Sequence, residues 1–283
     1  MDLRQPHISR RTIAFAVAVA GTVSLAIGAH AALNKRMFDT PKGTAGAVVA
    51  GATGSIPTGT SRLALIIGNG HYPDASAPLA QPINDARTLS SALRREGFDV
   101  DVVEDATKDD MFRAVERMKA KIRPDTVVML FFGGYGVQVG RESYMIPVDA
   151  TIWKEADVKR TGVSVESVLD AMKERGAKAK LVVLDASRRN PYERRFRAFS
   201  HGLAPISPPE NTIVLSSATP GKVADDGKGT NSVLVSELLN NLNAQAGAET
   251  AFNKTRVAIS RASEGEQVPS VSSSLLEDIK LGG

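Results

Sequence analysis

From Arg62 onward the apolar positions switch between two periods. Leu63-Ala64-Leu65-Ile66-Ile67-Gly68 is an unbroken apolar run of strand length. Residues 84–96 carry Ala86, Leu89 and Leu93 three or four apart, the spacing of one helical face. Residues 98–103 alternate Val with Asp and read as a second strand. Thr107 is placed to cap a helix running to about Ile122, with Phe112, Val115, Met118 and Ile122 recurring at helical spacing. Residues 126–132 form a third strand, and residues 137–148 a short hairpin around Gly140-Arg141. Ser164 opens a helix with Val165, Val168, Leu169 and Met172 on one face. Residues 180–184 and 212–217 are the fourth and fifth strands, and helices are expected at about 230–243 and 248–262. Continuous apolar strands alternating with amphipathic helices predict an α/β domain whose mainly parallel sheet is buried on both faces.

The pattern before Arg62 differs. Residues 12–33 carry no Asp, Glu, Lys or Arg and follow Arg4, Arg10 and Arg11. About 20 apolar residues suffice to cross a bilayer. The run closes on Ala29-His30-Ala31, a small-x-small pattern suited to signal cleavage. A cleaved signal and an uncleaved anchor both fit. Each puts the folded part outside the cytoplasm, in the periplasm or held at the inner membrane, and the arginines favour an inside N-terminus. Residues 34–61 are rich in Gly, Ala and Thr, with no charge between Lys42 and Arg62, and read as a flexible tether. The expected organisation is therefore 1–33 signal or membrane anchor, 34–61 linker, and 62–283 folded domain.

Composition narrows the chemistry. Aromatic residues make up 5% and hydrophobic residues 42%, so Val, Leu, Ile and Ala must fill the core. A net charge of +4 is too small to argue for nucleic acid. No cysteine is present, which excludes disulfides, thiolate metal sites and a cysteine nucleophile. Nothing in the sequence implies a cofactor.

Two strand ends then stand out: Phe131-Phe132-Gly133-Gly134-Tyr135-Gly136 and Val182-Val183-Leu184-Asp185-Ala186-Ser187-Arg188. Breaks of this kind lie at the carboxyl edge of an open α/β sheet, where ligands bind. Together they resemble the caspase–metacaspase family of cysteine peptidases. Further fragments agree in order: Ala64 to Asn69, Pro82-Ile83-Asn84-Asp85-Ala86, Tyr144 to Ala150, Ser217-Ala218-Thr219-Pro220-Gly221, Asn231-Ser232, and Gln267-Val268-Pro269 with Ser273-Ser274-Leu275. Ser270 departs from the aromatic residue common there. The resemblance covers about residues 62–281 and implies a caspase-like three-layer α/β/α domain.

The resemblance also assigns positions. The catalytic His is replaced by Tyr135 and the catalytic Cys by Ser187. A serine hydroxyl needs an adjacent base, and a phenol with a pKa of roughly 10 is only about 0.1% phenolate at pH 7. Loss of nucleophile or base costs on the order of 10⁴ to 10⁶ in rate. The expectation is an inactive peptidase homologue in which Tyr135 and Ser187 hydrogen-bond each other and fill the old cleft. A working hydrolase would need Ser187 with another base, His71 or His201. No G-x-S-x-G elbow surrounds any serine.

In metacaspase-like members the acids matching Asp85 and Asp185 line a pocket that selects Arg or Lys, since paired carboxylates suit a guanidinium. The bland alternative is that Asp85 caps its helix and Asp185 orders a turn. The implied partners are basic peptide segments, aligned along Ser217 to Gly221, or a partner protein. A scaffold with no ligand in the cleft stays open. Arg188, Arg189, Arg194, Arg195 and Arg197 against Glu193 read as a solvated loop or as a contact for anionic lipid headgroups. Asp225-Asp226 reads as a turn without metal-site spacing.

Overall fold

The computed structural model describes residues 61–73, 78–189, 191–192, 202–224, 229–243 and 245–282. All belong to one compact unit, Ser55–Gly283. The expected export segment, most of the tether, His201, the arginines beyond Arg189 and Asp225-Asp226 lie outside the described residues. No helix among the described residues is long and apolar enough to cross a membrane.

In chain order the elements are β1 (Arg62–Gly68), α1 (Pro82–Arg95), β2 (Asp99–Glu104), α2 (Lys108–Lys121) and β3 (Val127–Gly133). A small unit follows, β4 (Gly136–Val139), β5 (Glu142–Met145), α3 (Glu155–Thr161) and β6 (Val163–Ser164). The chain then continues through α4 (Val165–Glu174), β7 (Ala179–Asp185), β8 (Thr212–Ser216), α5 (Val233–Asn241), α6 (Ala248–Ala262) and β9 (Ser270–Ser273).

The main sheet has the order β2-β1-β3-β7-β8-β9. Its first five strands are parallel and β9 is antiparallel to β8. The chain steps from β1 outward to β2, then crosses to the other side of β1 to lay down β3. The carboxyl ends of β1 and β3 therefore flank a topological switch point.

Successive strand residues point to opposite faces, and both faces are covered. Leu65, Ile67, Leu130 and Phe132 pack with Met111 and Met118 of α2 and Val168 and Met172 of α4. Ile66, Met129, Phe131 and Val183 pack with Leu89 of α1, Leu238 of α5 and Phe252 of α6. A third cluster, with Tyr72, Tyr135, Val137, Tyr144, Ile146 and Ile152, involves the segments after β1 and β3. This is a three-layer α/β/α domain with a mainly parallel central sheet.

Local signals explain most boundaries. Thr107 caps α2 and forms a reciprocal capping box with Asp110. Ser164 caps α4 by accepting from the Ser167 N–H at 3.2 Å. Gly68 has a different reason: a Cβ there would lie 2.4 Å from the Pro82 carbonyl oxygen. Its bareness lets the start of α1 rest on the end of β1, which fixes where Asp85 falls.

The structure corrects several expectations. Phe112 is 62% exposed, and the buried face of α2 is Met111, Ala114, Val115 and Met118. Val115, Met118 and Ile122 are buried as expected, and Met111, one position before Phe112, completes their stripe. The hairpin gains a third strand, β6, with α3 between β5 and β6 in the chain. Neither announces itself, because β6 has two residues and α3 buries only Asp157 and Val158. The closing antiparallel strand β9, Ser-Val-Ser-Ser, holds one apolar residue and gives no strand pattern.

Candidate active site

The site is assembled where β3 and β7 end together. Their register closes at Gly133 opposite Asp185. Pairing then continues past the strands: the Gly134 N–H donates to the Asp185 carbonyl at 3.2 Å and the Gly136 N–H to the Ala186 carbonyl at 3.0 Å. Glycine is needed at 136, since a Cβ would meet a Leu203 methyl at 2.5 Å and the Ala186 carbonyl at 2.8 Å.

Tyr135 sits between these two bonds and is 7% exposed. Its N–H donates to the Tyr72 hydroxyl at 3.0 Å, its carbonyl accepts from the Ile146 N–H at 3.0 Å, and the Tyr72 hydroxyl donates to the Ile146 carbonyl at 3.0 Å. The two rings meet edge-on, 4.8 Å apart and at 64°. Burial pushes the Tyr72 phenol well above its ordinary range, so it stays a protonated hinge between three segments. Tyr135 thus belongs to an apolar cluster.

Ser187 is 1% exposed. Its N–H donates to the Ser217 hydroxyl at 3.4 Å, and its carbonyl accepts from the Ala224 N–H at 2.6 Å. The expected hydrogen bond between Tyr135 and Ser187 is not made among the described residues. Acyl transfer also needs donors free to meet a developing oxyanion. The Ser187 and Gly136 N–H groups, which border this position, are both engaged within the protein.

His71 is not brought to Ser187. Its Nδ1 lies 2.6 Å from Asp105 Oδ2, on the β2 side of β1, and the imidazole is 75% exposed. Asp105 also accepts from the Gly70 and His71 N–H groups, each at 2.9 Å. Burial alone would raise its pKa, but these bonds and the imidazole hold it below the usual carboxylate range. Strand β3 separates β1 from β7, so the two strand ends are about 10 Å apart at ordinary strand spacing.

The acidic pair is brought together. Asp85 lies inside α1 and is fully buried, and Asp185 ends β7 at 2% exposure. Asp85 does not cap its own helix; Oδ1 accepts from the Ser232 N–H at 2.9 Å. Asn84 fastens the same loop through Asn231 Oδ1 at 2.7 Å. Burial and the neighbouring Asp185 charge push the Asp85 carboxyl up to about 7, against the pull of the Ser232 N–H and Arg188. Asp85 Oδ2 and Asp185 Oδ2 are both buried and make no hydrogen bond.

Arg188 corrects a further expectation. Instead of joining a solvated basic loop, it is 5% exposed, and its Nη1 donates to the Asp185 carbonyl and to Asp185 Oδ1 at 3.3 Å. Counting it among its neighbouring arginines hid this role; the i,i+3 spacing from Asp185 was the available signal. Ser232 and Tyr72 were missed as supporting residues because backbone pairing and a hinge hydroxyl leave no sequence pattern. No cluster of three potential metal ligands occurs among the described residues.

Comparison with known proteins finds a family for the chain. A family model described as Caspase domain matches residues 61–280. The human mucosa-associated lymphoid tissue lymphoma translocation protein 1 is similar at 28% identity over 138 residues, covering 48% of this chain and 16% of that protein. Its mouse homolog is similar at 29% over 141 residues with the same coverage. The matched segment thus spans about one sixth of the length of these relatives.

The raised Asp85 carboxyl makes stability depend on pH. Between the unfolded value of 3.8 and the folded value of about 7, the native state holds a proton that the unfolded chain has lost. Stability from this group is complete below the lower value and falls as pH rises through the upper one. Asp85→Asn should gain about 2–3 kcal/mol relative to wild type between pH 5 and pH 8 in urea denaturation. Parallel pH profiles for the two proteins would rule this out.

Proposed function

The chain belongs to the caspase-domain family, and from that premise we propose that it works as a binding module for basic peptide or protein segments, without peptidase activity. One observation carries the reading: the chain has no thiol, and the hydroxyl in its place belongs to a residue only 1% exposed. The surroundings support it. Tyr135 is packed on Tyr72, His71 is held by Asp105, and the nearest backbone donors are engaged. Binding needs only shape and charge, so the acidic pair can serve a ligand where no bond is cut. Two buried carboxylates favour a cation, and a guanidinium matches their geometry best.

An approaching peptide has limited backbone to pair with. Strand β8 is already covered by β9 as far as Ser216, so strand addition is confined to the segment from Ser217 to Gly221. The proposal extends to location: residues 12–33 export the chain and leave the domain outside the cytoplasm, released or tethered.

The purified protein should not cleave Arg- or Lys-containing peptides above background, and thiol-directed inhibitors should not label it. Turnover that disappears in both Ser187→Ala and His71→Ala would overturn the reading in favour of a serine hydrolase. Reporter fusions after Ser61 should read as external to the cytoplasm, and a cytoplasmic signal would overturn the location.

A further inference from the structure

We infer that Arg188 is a built-in occupant of the Asp85–Asp185 pocket, and that an external arginine side chain binds there by exchanging with it. The inference rests on the binding reading above and adds what controls the site.

The geometry is that of a tethered ligand. The guanidinium is buried with Asp185 at 5% and 3% side-chain exposure. Its Nη1 reaches the Asp185 carbonyl and Oδ1. Its charge also acts on Asp85 across the pocket. Yet Asp85 Oδ2 and Asp185 Oδ2 stay buried without a hydrogen bond. The acceptor capacity of the pocket therefore exceeds what Arg188 uses. A guanidinium entering from another direction, with its planar fork, can engage oxygens that Arg188 leaves unmet.

Exchange is feasible because of where Arg188 is attached. It lies in residues 186–189, beyond the end of β7 and outside any helix or strand. Its departure breaks no sheet or helix ladder. Opening the pocket empty is a different matter, because two buried carboxylates would lose their cation. Replacing one guanidinium by another avoids that penalty. The pocket should therefore exchange occupants and discriminate against uncharged side chains. Affinity for the external cation is reduced by the fraction of molecules in which Arg188 has left.

The test is calorimetric binding to the full chain of a short peptide amide carrying one arginine, and of its norleucine counterpart. Wild type, Arg188→Ala and Arg188→Lys are compared. The arginine peptide should bind Arg188→Ala at least about tenfold tighter than wild type, and Arg188→Lys should fall between them. The norleucine peptide should not distinguish the three. Adding Asp185→Asn to Arg188→Ala should abolish the gain. If Arg188→Ala does not fold, the Lys variant still must bind the arginine peptide more tightly than wild type. Equal arginine affinity in all three proteins, still above norleucine, would overturn the occupancy of Arg188 and leave the cation-binding cleft standing. No preference for arginine over norleucine in any of them would overturn both.

Discussion

The pairing of β3 with β7 does not end with the strands. It runs on through Gly134 to the Asp185 carbonyl and through Gly136 to the Ala186 carbonyl. Those two hydrogen bonds hold the segments carrying Tyr135 and Ser187 at fixed separation, and they require glycine where the chains approach. Every other feature of the site hangs from this zipper. Tyr72 ties it to the segment after β1, Ile146 ties it to the β4–β5 unit, and Ser217 and Ala224 secure the far side of Ser187. The Ser187 and Gly136 N–H groups are spent on closing the structure.

Beside the zipper lies an electrostatic arrangement that works against stability. Two carboxylates are buried side by side, and one guanidinium from the same chain serves them. Burying like charges is unfavourable unless hydrogen bonds and a counter-ion compensate. The Ser232 N–H and Arg188 compensate partly, and the raised Asp85 carboxyl records what is left over. Two apolar residues would fill the same space at lower cost. On the proposed binding function, this incompletely hydrogen-bonded pair is what a cationic ligand would meet.

Much of this was legible in the sequence, for identifiable reasons. The mainly parallel, doubly covered sheet needed only unbroken apolar runs such as Leu63–Ile67 and Leu181–Leu184, whose residues turn out to be buried on both faces. The helix starts at Thr107 and Ser164 were readable from capping chemistry. The short elements α3, β6 and β9 were not, because they are formed by pairing and packing rather than by apolar periodicity. At the site, the residue identities led to the reading that Ser187 and Tyr135 stand where the family carries Cys and His. What each residue does there was not legible. That Tyr135 turns into the Tyr72 cluster, that His71 faces Asp105, and that Arg188 folds back three residues onto Asp185 are consequences of side-chain direction at strand ends, which sequence patterns do not encode.

The central proposal is that the chain keeps the frame of a caspase domain without its peptidase chemistry. It is tested most directly by restoring the chemistry. Because the chain has no cysteine, Ser187→Cys introduces a single thiol whose ionisation can be followed by thiolate absorbance without interference. Adding Tyr135→His places an imidazole on the neighbouring segment of the zipper. The thiol pKa in the double variant is expected to fall at least about one unit below that of Ser187→Cys alone, and below the reference value of about 8.5. Identical thiol pKa values in two folded variants would mean that an imidazole at 135 cannot reach a thiol at 187, contradicting an intact frame.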